Sequence, residues 1–263
     1  MEQKYGICRV AVAHVRVEGS DRSEMSSQLL FGDHVEVLEK EDRWWRIRNA
    51  FDGYEGWMDF RQLAIISFEE YIKNHDCPNL VPIHINNTIL AADGSKYYLS
   101  PGSYLPQLDY GHCTLGDQNY KLLFDARQVS ITDPQVNEEG VRETALFFRN
   151  VPYLWGGRTI FGLDCSGYVQ LVYKLNGLKL KRDAWQQAEE GTLVNFLPEV
   201  KVGDLAFFDN EEGRITHVGL MLSPNEIIHS SGKVRIDPID DQGIFNKELG
   251  KYSHKLRIIK RYF

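Results

Sequence analysis

Three residues of this sequence could together carry out nucleophilic attack on a carbonyl carbon: Cys165, His217 and His229. Cys165 lies in residues 152–173, Pro-Tyr-Leu-Trp-Gly-Gly-Arg-Thr-Ile-Phe-Gly-Leu-Asp-Cys-Ser-Gly-Tyr-Val-Gln-Leu-Val-Tyr, a glycine-rich loop running into Asp164-Cys165-Ser166. Beyond it, Tyr168, Val169, Leu171, Val172 and Leu175 recur at the i, i+3, i+4 spacing of a buried helix. The cysteine therefore stands at or near a helix N-terminus, where unpaired N–H groups and the positive dipole end favour a thiolate. A lone cysteine of this kind is more often buried and inert, so the chain must also supply a base. His217 and His229 interrupt apolar strands at 215–222 and 226–230, joined by the short turn Ser223-Pro224-Asn225. Paired antiparallel, these strands can place both imidazoles on one face of a sheet. His217 would then take the Cys165 proton, forming a thiolate–imidazolium pair, while His229 accepts the other ring N–H of His217 and fixes its tautomer. Either histidine alone would read as a satisfied strand residue. The weight lies in Asp-Cys-Ser-Gly, Gly203-Asp204, Thr216-His-Val-Gly219 and Ile228-His-Ser230 occurring in one order in one half of the chain.

The elements that must hold these groups divide the chain in three. Residues 1–66 read as all-β: short valine-rich strands, the polar loop Gly19-Ser-Asp-Arg-Ser23, an alternating Trp44-Trp-Arg-Ile-Arg48, and a hairpin turn at Asp52-Gly53. Residues 67–135 are punctuated by Pro78, Pro82, Pro101 and Pro106 and show the same β texture without helical periodicity, so a second, degenerate SH3-like barrel is expected there, the alternative being an irregular insertion wrapped on its neighbours. After Asp133-Pro134 the texture changes. Asn137-Glu-Glu-Gly140 starts a helix, the nucleophile helix spans about 165–176 and stops at Asn176-Gly177, and Asp183 caps a short helix over 183–190. Strands follow at 205–208, 215–222, 226–230 and 256–262, giving an α+β domain over 136–263.

Composition narrows the classes. The chain has 263 residues, 43% of them hydrophobic, and a formal net charge of −7, with no basic run, so nucleic acid is not expected as a partner. No segment approaches the roughly 18 apolar residues of a membrane span, and the N-terminus lacks an apolar signal core. A cytoplasmic, membrane-free and monomeric protein is expected. The four cysteines, Cys8, Cys77, Cys113 and Cys165, are scattered, which fits a reducing compartment, and no zinc-ligand spacing occurs. Neither metal nor cofactor is expected.

Residues 1–66, with Gly-Asp before a strand, Trp-Trp-Arg-Ile-Arg and Gly53-Tyr-Glu-Gly-Trp57, resemble a bacterial SH3-type domain. Residues 140–263 resemble the NlpC family of papain-like cysteine peptidases, which cut bacterial cell-wall peptides. The resemblance rests on Pro152-Tyr153 through Trp155-Gly-Gly157, Asp164-Cys-Ser-Gly167, Gly203-Asp-Leu205, His217-Val-Gly219 and His229. It implies Cys165 as nucleophile, His217 as base and His229 as the third polar member, with the Tyr153 hydroxyl near the oxyanion. SH3-like barrels ahead of such a domain resemble the γ-D-glutamyl-L-diamino acid endopeptidases. That implies a murein-derived peptide substrate with a free N-terminal L-Ala, cut between γ-D-Glu and meso-diaminopimelate or L-Lys, in cell-wall peptide recycling. The free ammonium needs a carboxylate in a closed pocket. Asp183 is the first candidate, with Glu24 and Tyr54 of the first barrel completing the site and Ser166 and Trp155 as cleft walls. The alternatives are another NlpC-type γ-glutamyl amidase or acyltransferase, or an inactive wall-binding SH3 protein.

Overall fold

The computed structural model describes residues 4–75, 78–130 and 134–263; Cys77 and Asp133 lie outside them. The chain forms two compact units. One comprises the residues up to Pro134 together with Trp155–Ile160, the other Gln135–Leu154 and Phe161–Phe263.

The first unit opens with seven strands: β1 (Lys4–Cys8), β2 (Val12–Arg16), β3 (Met25–Leu30), β4 (His34–Glu41), β5 (Trp44–Asn49), β6 (Glu55–Asp59) and β7 (Leu63–Ile66). They pair in the order β3-β2-β6-β5-β4-β1-β7. Alternation directs Ala13, Val15, Ile47 and Met58 inward, where they pack with Leu29 and Val35. Helix α1 (Phe68–His75) follows, where the β texture of the middle segment suggested none. Its signal is a capping box: the Ser67 Oγ accepts the Glu70 N–H at 3.1 Å, and the Glu70 carboxylate accepts the Ser67 N–H at 3.0 Å. Phe68 and Tyr71 on this helix lie against the Tyr5 ring, at 5.2 and 4.5 Å between centroids.

The remaining strands of this unit are β8 (Asn79–Leu80), β9 (Asn87–Ala91), β10 (Lys96–Leu99), β11 (His112–Leu115), β12 (Gln118–Leu122), β13 (Arg127–Gln128) and β14 (Arg158–Thr159). Four of them make an antiparallel sheet, β10-β9-β12-β11, and β13 pairs with β8. Residues 1–66 and 67–135 share one core. Tyr5, Ile7 and Phe31 pack with Val81, Ile89, Leu99 and Tyr120. Gly32 shows how close the two segments come: its φ is +80°, and a Cβ there would lie 2.5 Å from the Tyr104 carbonyl oxygen.

The second unit comprises α2 (Glu138–Phe147), β15 (Gly162–Leu163), α3 (Cys165–Leu175), α4 (Ala184–Ala188), β16 (Thr192–Val194), β17 (Leu205–Asp209), β18 (Ile215–Ser223), β19 (Glu226–Ser231), β20 (Lys233–Pro238), β21 (Gly243–Asn246) and β22 (Lys251–Arg261). Helix α2 starts where Asn137 Oδ1 accepts the Gly140 N–H at 2.8 Å. Helix α3 is buried throughout, consistent with its apolar run. The sheet runs β16-β22-β17-β18-β19-β20, with β21 paired to β22. Strand β22 begins at Lys251, five residues before the expected start, because its first half is polar and carries no apolar signal. No helix among the described residues is long and apolar enough to cross a membrane.

Gly32→Ala should destabilise the first unit by about 2 kcal/mol or more, since the new Cβ meets both a left-handed backbone and a carbonyl oxygen. The urea midpoint measures it, and an unchanged midpoint would disprove the close approach.

Candidate active site

Helix α3 begins at Cys165 because Asp164 caps it: Asp164 Oδ1 accepts the Gly167 N–H at 2.7 Å. The cap is held in turn by Arg182, which is fully buried. Its Nη1 donates to Asp164 Oδ1 at 3.1 Å and to Ser166 Oγ at 2.9 Å, and its Nη2 to Asp164 Oδ2 at 2.5 Å. Sequence reasoning passed over Arg182 in favour of its neighbour Asp183. Ser166, expected as a cleft wall, is turned inward and buried, because the guanidinium and Asp164 engage its hydroxyl.

The histidines are placed by strand register. On β18 and β19 the residue opposite His229 is Gly219, two positions beyond His217, so both imidazoles share one face as diagonal neighbours. Gly219 is required here, since a Cβ would lie 2.8 Å from the His229 Cβ. His217 Nε2 and His229 Nδ1 are 2.8 Å apart, and His229 Nε2 is 3.0 Å from Asp237 Oδ2. Asp237 comes from β20, which pairs His229 with Arg235, so Asp237 is again a diagonal neighbour. Burial alone would raise the Asp237 carboxyl, but hydrogen bonds from His229 and Arg235 hold it below the ordinary carboxylate value.

These contacts set the tautomers. The Asp237 carboxylate requires the proton of His229 on Nε2, so His229 Nδ1 accepts from His217 Nε2–H, and His217 Nδ1 presents its lone pair. Cys165 lies next to this group: the N–H of Val218, the residue after His217, donates to its sulfur. Burial pushes the thiol up to about 12, with nearby Asp164 adding to the shift. Burial and the neighbouring His229 and His254 rings hold His217 well below the ordinary imidazole value. Burial thus favours the neutral form of each group taken by itself.

The structure adds His254 on β22, whose ring stacks on His217 at 4.0 Å between centroids and 24° between planes. Burial and then His229 lower it to about 4. It was missed because its strand is polar. The three histidines bring ligand-capable nitrogens within 4.8 Å of one another. The 2.8 Å contact between His217 and His229 is the span of a shared proton, whereas two nitrogens on a tetrahedral zinc would stand about 3.3 Å apart. That spacing suits a hydrogen bond from one ring to the other.

Tyr153 is half-buried near Cys165 and Asp164; burial first, then those two groups, raise its phenol to about 12, so it remains a hydrogen-bond donor at neutral pH. Asp183 is half-buried at the start of α4, its N–H donating to Gln186 Oε1 at 3.2 Å. Trp155, expected beside the nucleophile, belongs to the first unit: Arg158 ties its segment to β3 through Gln28, with the Arg158 N–H donating to Gln28 Oε1 and Nη1 to the Gln28 carbonyl, both at 2.8 Å. The Trp155 indole N–H donates to Glu24 Oε1 at 2.6 Å. Tyr54 follows the turn at Asp52, whose Oδ1 accepts its N–H at 3.0 Å, and packs on the core of the first sheet.

Residues 150–252 match the NlpC/P60 family, and residues 15–63 match the bacterial dipeptidyl-peptidase Sh3 domain. The chain is 32% identical over 250 residues to a gamma-D-glutamyl-L-lysine dipeptidyl-peptidase of Bacillus subtilis, covering 86% of this chain and 79% of that one. It is 26% identical over 257 residues to dipeptidyl-peptidase 6 of Lysinibacillus sphaericus, covering 88% and 90%. Among solved structures, an NlpC/P60 family protein from Bacillus cereus shares the fold with a TM-score of 0.82 at 20% identity, over 98% of this chain and 99% of that one.

Two outcomes are expected of this geometry. Asp237→Asn frees the tautomer of His229 and should lower kcat about 10- to 100-fold with a smaller change in KM, and full kcat would remove Asp237 from the relay. His217 must be neutral to accept the proton, and its imidazole is held below 6.5. As pH falls, kcat/KM should therefore pass 6.5 without loss and decline only further down; an acid limb centred at 6.5 or above would contradict this.

Proposed function

The chain belongs to the NlpC/P60 family and is a cysteine peptidase of peptidoglycan peptides, and we propose that it cuts the bond between γ-D-Glu and a diamino acid in stem peptides with a free N-terminal L-Ala. The observation that carries this reading is the Cys165 sulfur at the Val218 N–H, beside the run of contacts from His217 through His229 to Asp237. In the first step the Cys165 sulfur attacks the γ-carbonyl carbon as its proton moves to His217 Nδ1. The Cys165 backbone N–H, unpaired as the first of α3, and the Tyr153 hydroxyl donate to the oxyanion. The C–N bond then breaks as His217 returns the proton to the leaving nitrogen, leaving a thioester. Water, deprotonated by His217, releases the dipeptide and restores the thiol.

Asp183 is assigned to the substrate ammonium. Its neighbour Arg182 is locked into the Asp164 and Ser166 network, which holds the start of α4 near the nucleophile. We read residues 67–135 as a second SH3-like barrel and 136–263 as papain-like, on the strength of the four-stranded sheet and of a nucleophile at the head of a helix beside a histidine-bearing sheet. A cytoplasmic role in recycling fits Cys8, Cys113 and Cys165, which form no disulfide among the described residues.

Incubation with L-Ala-γ-D-Glu-L-Lys should release L-Ala-D-Glu, with Cys165→Ala as the inactive blank. N-acetylation of the substrate should cost about 100-fold or more in kcat/KM, because it removes the positive charge that Asp183 is assigned to meet. Equal cleavage of both forms would exclude recognition of the free amine.

A further inference from the structure

We propose that the cavity beside His254 receives the ammonium-bearing side chain of the leaving diamino acid. The inference rests on the peptidase reading above and on one requirement of its mechanism. His217 hands its proton to the departing nitrogen, so the leaving residue must lie on the His217 side of the scissile bond. Next to the histidine cluster the second unit carries a cavity of about 890 Å³. Its wall includes Thr216, the residue before His217, and His254, the ring stacked on His217. His254 thus belongs both to the cavity wall and to the histidine cluster.

The lining is chosen for a cation. Asp209, Glu211 and Asp241 face the cavity against a single lysine, Lys255. The acidic character alone would describe any solvated face, but Asp209 is different. Its side chain is 7% exposed, and its Oδ1 has no hydrogen-bond partner among the described residues. The nearest cationic group to the other oxygen, Arg257 Nε, stands 3.8 Å from Oδ2, beyond hydrogen-bond range. A buried carboxylate oxygen left without a donor costs stability unless a ligand supplies one.

The backbone around Asp209 is also irregular on both sides. Its pairing with β18 shifts between Phe208 and Asp209, leaving Thr216 without an opposite residue. The pairing of β17 with β22 shifts one residue earlier, between Phe207 and Phe208. Two bulges at one strand end turn Asp209 and Thr216 toward the same cavity, the usual effect of bulges beside a site. His254, held neutral at physiological pH, adds no charge to oppose an ammonium there.

The test compares three tripeptides, L-Ala-γ-D-Glu followed by L-Lys, meso-diaminopimelate or L-norleucine, the last matching lysine in shape without its charge. The intact chain should cleave at least one diamino acid substrate about 10-fold faster in kcat/KM than the norleucine one, and the faster of the two identifies the residue accepted. Asp209→Asn should bring the ratio of that substrate to norleucine close to one. The exposed Asp241→Asn should lower it in part, which keeps the test open should the Asp209 variant fold poorly. Equal rates on all three substrates, or ratios unmoved by both variants, would overturn the pocket assignment and leave the peptidase reading standing. Cleavage of none of the three would overturn both.

Discussion

The buried ion pair of Arg182 with Asp164 governs the catalytic half of this chain. The guanidinium grips both carboxylate oxygens with side-chain exposures of 1% and 9%. Asp164 at the same time caps α3, so the pair fixes where that helix begins and hence where the first N–H and the Cys165 sulfur stand. Losing either partner of such a pair typically costs about 3–5 kcal/mol, because the other charge stays buried. The pair also settles two neighbours: Ser166 is drawn inward, and the residue after Arg182 is delivered to the start of α4. One interaction thereby couples the nucleophile to the element carrying the assigned recognition carboxylate.

The site works by denying water to both of its reacting groups. Cys165 and His217 are buried where each charged form is unfavourable by itself. The hydrogen bonds that run from Asp237 through His229 fix the orientation of the His217 ring between them. The lone pair of His217 is thus oriented by a carboxylate two residues away in the relay. His254 stacks on one face of His217, which limits rotation of that ring.

How much of this was legible depended on hydrophobic contrast. Cys165 and α3 could be read because an apolar helical run follows a glycine-rich loop, and His217 and His229 because polar rings interrupt apolar strands. Asp237 and His254 could not, since β20 and the first half of β22 are themselves polar and supply no background against which a functional residue stands out. Arg182 was hidden for another reason. A lone arginine beside an N-cap reads as surface, and its partner lies 18 residues away in sequence. Helix α1 had its signal in Ser67 and Glu70, but the prolines on its far side made the whole segment look like β structure. The shared core of residues 1–66 and 67–135 lies in contacts between distant segments, which local texture does not encode.

The six residues Trp155–Ile160, which the first unit takes from the middle of the second unit's sequence, have a consequence for how such a protein can be dissected or recombined. A break at residue 134 looks clean on a linear map. The N-terminal piece made that way would lose Arg158, the guanidinium 3.4 Å from the wholly buried Asp33, and with it the N–H that Gln28 accepts. A fusion or domain exchange at that point inherits a buried carboxylate that has lost the Arg158 guanidinium. The N-terminal unit is not a cassette, and a junction that respects it must carry the 155–160 strip along with it.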